Sequence, residues 1–339
     1  MKRFCAICFV MLFCVIAIAN TPKDANPLFP ISDVYSYGYI NNQGKIIIEP
    51  KYDGAHKFFE GLAVVEKNGF YRYIDKTGKH TGDTTFTYAY DFSEGLARVK
   101  IGGKLGFINK TGKIVIPIEF ADAGQFSQGM ANVKSDNLWG VIDKLGKFVI
   151  EPKFDFVDGF SEGLAMVRSG SWVIGKYGYI DKKGKLIIDT IYKGVGKFSE
   201  GLAYVKIDGK YGYINKSGKF VIPAKFDDGA NFSEGLAYVK ENGQYGYIDK
   251  KGKFAIEPKF DVASSFSEGL AYVRVGGEYG YINKAGIYAV ELKLASAYDF
   301  TNGLAKVYFY DDEYEYQWGY IDKNGKTVWE TSGYYDEDW

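Results

Sequence analysis

The stretch "FSEGLAYVKENGQYGYIDKKGKFAIEPKFD", residues 232 to 261, decides the fold, because the chain spells close variants of it almost from end to end. The Leu or Met of its "EGLA" phrase falls at Leu62, Leu96, Met130, Leu164, Leu202, Leu236, Leu270 and Leu304, in steps of 34, 34, 34, 38, 34, 34 and 34 residues. One period upstream of Leu62, Leu28 in "NPLFPI" stands in a worn copy of "EGLAYV", which makes nine units. Self-similarity at such a period belongs to modules that bury their apolar faces only by stacking on neighbours.

Each unit divides into three short segments. In "GLAYVK", Ala237 and Val239 keep their identity from copy to copy, while the residue between them varies through Arg98, Asn132, Met166, Tyr238 and Lys306. Fixed apolar residues alternating with variable ones are the period of a strand with one buried face. The second segment, "YGYID", carries an Ile in every unit from Ile40 to Ile321, with aromatics on both sides of a Gly. The third, "GKFAIEP", is rich in β-branched residues and is expected to stop at prolines such as Pro152 and Pro258, which cannot donate to a central ladder. Between second and third lies "DKKG" or "NKSG", with Asp or Asn opening the turn and Gly closing it. "FSEG" reads as a second turn, its Phe (Phe58, Phe92, Phe126, Phe160, Phe198, Phe232, Phe266, Phe300) as a core anchor.

The fold class that follows is all-β: a tandem array of nine three-stranded β-hairpin repeats of about 34 residues, expected as an open, curved, solenoid-like stack, with a closed propeller-like ring as the alternative. Pro27 and Pro30 mark the first unit as an end cap, since proline is tolerated on an edge strand. Strands of about five residues exclude an outer-membrane barrel, whose strands need roughly nine to eleven.

At the N-terminus, "MKRFCAICFVMLFCVIAIAN" sets two cations before an apolar run from Phe4 to Ala19 that ends in Ala17-Ile18-Ala19. This is the pattern of a secretory signal peptide cleaved before Asn20, too short to span a membrane, so residues 1–19 are read as signal, 20–330 as the array and 331–339 as an acidic, aromatic tail. Anchoring as a lipoprotein through Cys14 is disfavoured by the bulky Phe13. An exported protein of the periplasm or cell surface is the expectation, with no transmembrane segment after cleavage. Cys5, Cys8 and Cys14 all lie inside the signal, which leaves the mature chain without a thiol for disulfides, zinc sites or nucleophilic attack. Loss of Lys2 and Arg3 leaves 40 basic against 42 acidic side chains, a net charge of −2 that offers nothing to nucleic acid.

The phrase "FSEGLAYVK..G.YGYIDK.GK.VI.P.FD" resembles the WG repeat, also called KWG repeat, of bacterial proteins; the Trp-Gly pair survives at Trp139-Gly140 and Trp318-Gly319. Tyr or Leu replaces the Trp elsewhere, and in one unit Arg72 stands where the Gly should be. The resemblance implies tandem β-repeats and carries over no catalytic residues.

The recurring acids, among them Glu60, Glu94, Glu162, Glu200, Glu234 and Glu268 before the turn Gly and Asp75, Asp143, Asp181, Asp249 and Asp322 at the hairpin, read as turn builders. Acid and base roles require unlike surroundings, which identical units do not supply. Their spacing matches no calcium loop, His56 and His80 form no motif, and "GKYGY" lacks a phosphate-loop spacing; no cofactor, metal or catalytic residue is expected.

The aromatic columns are the sharpest feature. Trp139, Tyr177, Tyr211, Tyr245, Tyr279 and Trp318 precede the Gly, and further rings such as Tyr179, Tyr213 and Tyr247 follow it, so both columns lie on one side of their strands. They are read either as a packed ladder or as platforms that stack sugar rings or a partner protein by avidity. Insertions at 168 to 177 and 308 to 317 add Trp172 and the acids Asp311, Asp312 and Glu313 as further candidate contacts. The function expected is an exported, non-enzymatic binding or scaffold protein whose partner is a protein or an envelope polysaccharide. The alternatives are a two-carboxylate envelope hydrolase and a self-assembling structural repeat.

Overall fold

A computed structural model describes residues 24, 26–33, 35–171, 173–310 and 316–331. The signal, Trp172, the acids Asp311, Asp312 and Glu313, and the tail beyond Thr331 lie outside the described residues. What is described is all β, without a helix long and apolar enough to cross a membrane.

Each unit is an antiparallel meander. In unit 7 a two-residue strand Asp228–Gly229 lies beside a first strand Ala237–Glu241, followed by a second, Gln244–Ile248, and a third, Phe254–Phe260. Units 3 to 7 are separate four-stranded sheets of this kind. Unit 2 lacks the third strand, while units 8 and 9 share a seven-stranded sheet through the unbroken strand Tyr288–Ala297. Local chemistry sets every turn. Asn242 and Gly243 take φ of 51° and 86° between first and second strands, a two-residue turn whose twist matches the strands. Asp249 Oδ1 accepts the N–H groups of Lys251 at 2.9 Å and Lys253 at 3.0 Å. In "FSEG", Ser233 and Leu236 exchange backbone bonds of 2.8 and 3.2 Å around Glu234 and Gly235.

The Gly of the Trp-Gly pair is a packing requirement. The third strand bulges as it passes the second: Ile256 faces Tyr247 and Phe260 faces Tyr245, so the residues between them crowd over Gly246. A methyl built on Gly38, Gly140, Gly246 or Gly280 would lie between 2.5 and 2.7 Å from the carbonyl oxygen of Ile48, Ile150, Ile256 or Val290. Unit 2 has no third strand over this position, and there Arg72 replaces the Gly. The bulge also corrects the reading of proline. The third strands Phe148–Phe154 and Phe254–Phe260 run through Pro152 and Pro258 instead of ending there, because a bulged residue on an edge strand has no ladder bond to lose.

The apolar cores lie between units. One core joins Leu202, Tyr213, Ile222 and Phe226 of unit 6 to Phe232, Ala237, Val239 and Ile248 of unit 7, and each successive pair of units repeats the arrangement. The tandem array of β-hairpin units is thus as the repeat demands, its sheets separate and no barrel closed. The two ends meet as well: Phe29, Ile31 and Ile40 of unit 1 pack with Leu304, Trp318 and Tyr320 of unit 9. Tyr320 donates its hydroxyl to Pro30 O at 2.9 Å, and its ring lies 5.4 Å from that of Phe29. Among the described residues no strand pairs across this seam.

Gly246→Ala is expected to destabilise the chain by roughly 1–3 kcal/mol through overpacking, whereas Arg72→Ala changes stability by no more than about 0.5 kcal/mol; urea unfolding of the two variants checks the contrast. Ile31→Asp, which charges the seam core, should raise the radius of gyration in X-ray scattering while the far-ultraviolet dichroism stays that of a β protein; an unchanged radius would show that other contacts hold the ends.

Candidate functional site

The conserved-looking positions within the unit are spent on joining units. In the second aromatic column, Tyr213 is fully buried, meets Phe232 of the next unit edge-on at 5.0 Å, and donates its hydroxyl to Ala230 O at 2.8 Å. Tyr39, Tyr73, Tyr179, Tyr247 and Tyr281 repeat both contacts with the unit that follows. Burial pushes these phenols far above their ordinary range.

The first column is half-covered. Tyr177, Tyr211, Tyr245 and Tyr279 are half-buried. Lys206, Lys240 and Arg274 cap the rings of Tyr211, Tyr245 and Tyr279 at 5.0, 5.2 and 5.7 Å. Tyr204 and Tyr238 pack against Tyr211 and Tyr245, each pair with ring centres 5.7 Å apart. Burial, and then the bond from Tyr245 to Asp228 Oδ2 at 2.9 Å, push the Tyr245 phenol up to about 12. The two tryptophans are buried: Trp139 packs on Phe156 at 5.7 Å and Trp318 on Trp329 at 4.9 Å, with Lys306 Nζ 4.0 Å from its ring centre. Neither presents an open face, because the unit period that aligns these rings also brings a neighbour over them.

The recurring glutamates form a ladder from unit to unit. Glu200 accepts the N–H of Gly235 at 3.0 Å and pairs with Lys250 at 2.9 Å, both in the following unit. Glu60, Glu94, Glu162, Glu234 and Glu268 do the same with Lys110, Lys144, Lys216, Lys284 and Lys323. In unit 4 Gln128 takes the place of Glu and still accepts from Gly163 N at 2.9 Å. Burial alone would raise the Glu94 and Glu268 carboxyls, but the backbone N–H groups and the lysines outweigh it and hold both below their ordinary value. Sequence reasoning placed these acids in turns and missed the ladder; the Lys that recurs fifty residues after four of the Glu, as Lys110 after Glu60, and slightly farther on across the two insertions, was the signal.

What stays open is the outer edge. Third strands are edge strands in units 1 and 3 to 7, and four of them expose apolar doublets at their starts, Ile46-Ile47, Ile114-Val115, Leu186-Ile187 and Phe220-Val221, with Val149 alone in unit 4. A Lys precedes each doublet, as Lys45, Lys113, Lys185 and Lys219 do. The outcome is a row of apolar contacts on units 1, 3, 5 and 6, with a single exposed residue on unit 4, each beside a cation. Sequence reading described the third segment only as β-branched and ending at proline, and did not single out this row.

The description WG containing repeat matches residues 37–69, 71–104, 106–139, 139–171, 177–211, 211–245, 245–279 and 279–311. The chain belongs to the WG-repeat family. The matched windows run from the second strand of one unit to the first strand of the next, so the family signature describes the junction between units more than the sheet. Among curated proteins, none matches the chain.

Because the Glu268 carboxyl is held below its ordinary value near 4.5, its contribution is complete above that pH and lost as pH falls through the native value. Glu268→Gln keeps the backbone bond that Gln128 makes and removes the charge. It should lower the melting temperature at neutral pH and flatten the loss of stability below pH 4.5, as thermal melts across pH 3 to 7 would show.

Proposed function

We propose that this WG-repeat protein is an exported, non-enzymatic scaffold that binds another protein along the outer edge of its array. The observation that carries the reading is the row of exposed apolar doublets at the third strands of units 1, 3, 5 and 6, on a frame whose other recurrent residues are occupied in holding units together. Exposed apolar residues recurring in register are the mark of an interaction surface. Equivalent sites spaced by one unit favour an extended or repetitive partner, which gains affinity by simultaneous engagement. The bulge and prolines such as Pro152 and Pro258 blunt the edge against strand addition, so the contact is made by side chains.

Export rests on the apolar N-terminal run and its Ala17-Ile18-Ala19 end. The non-enzymatic reading is supported by the carboxylate ladder, whose members share the same two kinds of partner and so lack the unlike environments of an acid and base pair. A polysaccharide partner is less favoured than a protein, because sugar stacking needs uncovered ring faces and the aromatic columns are packed against rings and cations.

Purified mature protein, incubated with insoluble peptidoglycan and with envelope extract, should retain protein and not glycan. Replacing one doublet, Ile114→Ser with Val115→Ser, should weaken retention a few-fold, and replacing three doublets should weaken it about a hundredfold or more. Retention on peptidoglycan, or protein capture indifferent to the doublets, would remove this reading.

A further inference from the structure

Unit 2 departs from the repeat in a way that opens a pocket. After its second strand, Phe70–Asp75, the chain makes only single bridges, Ile74 to His80 and Tyr71 to Phe86, where other units lay down a third strand. A cavity of about 670 Å³ remains, of the size that holds small molecules. Lys51, Arg72 and His80 are in its lining with Tyr52, Val65 and Phe70.

Three features give the pocket a chemistry. First, the cations outnumber their counter-ions. Lys67, also in the lining, pairs with Asp53 at 2.6 Å, whereas no carboxylate among the described residues lies within ion-pair distance of Arg72 or Lys51. Second, Tyr52 is 4% exposed and its enclosed hydroxyl has no hydrogen-bond partner; a buried O–H without an acceptor is destabilising. It is a donor for which the described residues supply no acceptor. Third, Val65, Phe70 and the Tyr52 ring give the pocket an apolar wall beside those charges. Burial lowers the His80 pKa, and the Arg72 charge adds to this, with a smaller push from Lys51.

We infer that the unit 2 pocket binds a small organic anion, with Arg72 gripping a carboxylate or phosphate group and the apolar wall holding a flat body. Arg is suited to the task, since its planar fork matches an oxyanion in a two-point contact. The place of Arg72 in the repeat strengthens the assignment. It fills the position of the Gly of the Trp-Gly pair, and the strand whose backbone excludes a side chain in other units is missing here, so side chain and space occur together.

The test uses the full mature chain, with benzoate and phenyl phosphate as organic probes and inorganic phosphate as the bare charge. Calorimetry and the His80 imidazole signals in nuclear magnetic resonance are followed during titration. The expected result is saturable binding of at least one organic probe, at least tenfold tighter than inorganic phosphate, with a shift of the His80 signals and an upward move of the His80 pKa. That direction follows because the anion offsets the Arg72 and Lys51 charges, while Lys67 is already paired with Asp53 and Tyr52 stays neutral. Arg72→Gly, which installs the residue other units carry, should keep the β dichroism and lose at least tenfold in affinity. Absence of saturable binding, equal affinity in Arg72→Gly, or inorganic phosphate binding as tightly as the organic anions would overturn the assignment.

Discussion

The structure depends on a single contact repeated between neighbours: a ring from the second strand of one unit, buried against the Phe of the next and bonded through its hydroxyl to that unit's backbone. A three-stranded sheet has one face to bury and cannot cover it alone. Because each core is completed by the following unit, the fold has no independent domain to detach, and its stability is a sum of junctions. The hydroxyl bond sharpens this. Burying a ring rewards any close packing, whereas Tyr213 O–H bonded to Ala230 O fixes how far one sheet turns relative to the next. Six junctions carry this bond, while Phe107 keeps the ring contact without the hydroxyl and Val141 supplies neither.

The seam shows which interactions are general and which are local. At internal junctions the apolar core is joined by the Glu, Gly and Lys ladder. Unit 9 carries Asn302 at the glutamate position, and unit 1 meets Lys76 through the Asn26 carbonyl at 2.7 Å with help from Asp24. Across the seam itself Phe29, Trp318, Tyr320 and Trp329 crowd together instead. Apolar contact thus supplies the closure, and the charged ladder orders neighbours that the chain already ties together. This is consistent with the modest worth of half-exposed ion pairs.

Much of the fold was legible because it is enforced unit by unit. The step of 34 residues, the alternation around Ala237 and Val239, and the Asp249 turn each follow from local geometry and can be read locally. The curvature could not be read, since it arises from angles between sheets that no single unit encodes in its pattern. Proline misled for a related reason. Pro258 would stop a regular central strand, but it sits in a bulge on an edge, and the bulge exists because Gly246 lets the third strand cross there. The candidate contacts were less legible still. Aromatic recurrence is the same string whether the rings face solvent or a neighbour, and here the neighbour covers them. The exposed doublets hid inside a β-branched segment that looks like core.

A repeat frame of this kind separates the residues that hold it from those free to do something else. Recurrent positions are committed: Tyr, Phe, Gly, Glu and Lys each have a partner one unit away, and changing one damages a junction. Function therefore has two places to reside. It can use what is repeated but left uncovered, as with the doublets, where affinity comes from number and any single contact is weak. Or it can use a position where the repeat is broken, where one unit gains a shape that its neighbours lack. Unit 2 is such a place: the third strand is missing, Arg72 fills the Gly position, and beside them Tyr52 O–H has no acceptor among the described residues. An uncompensated hydroxyl, beside cations with no carboxylate among the described residues at ion-pair distance, costs stability. A pocket of this composition is suited to a ligand more than to the mechanics of stacking, which units 3 to 7 achieve without it.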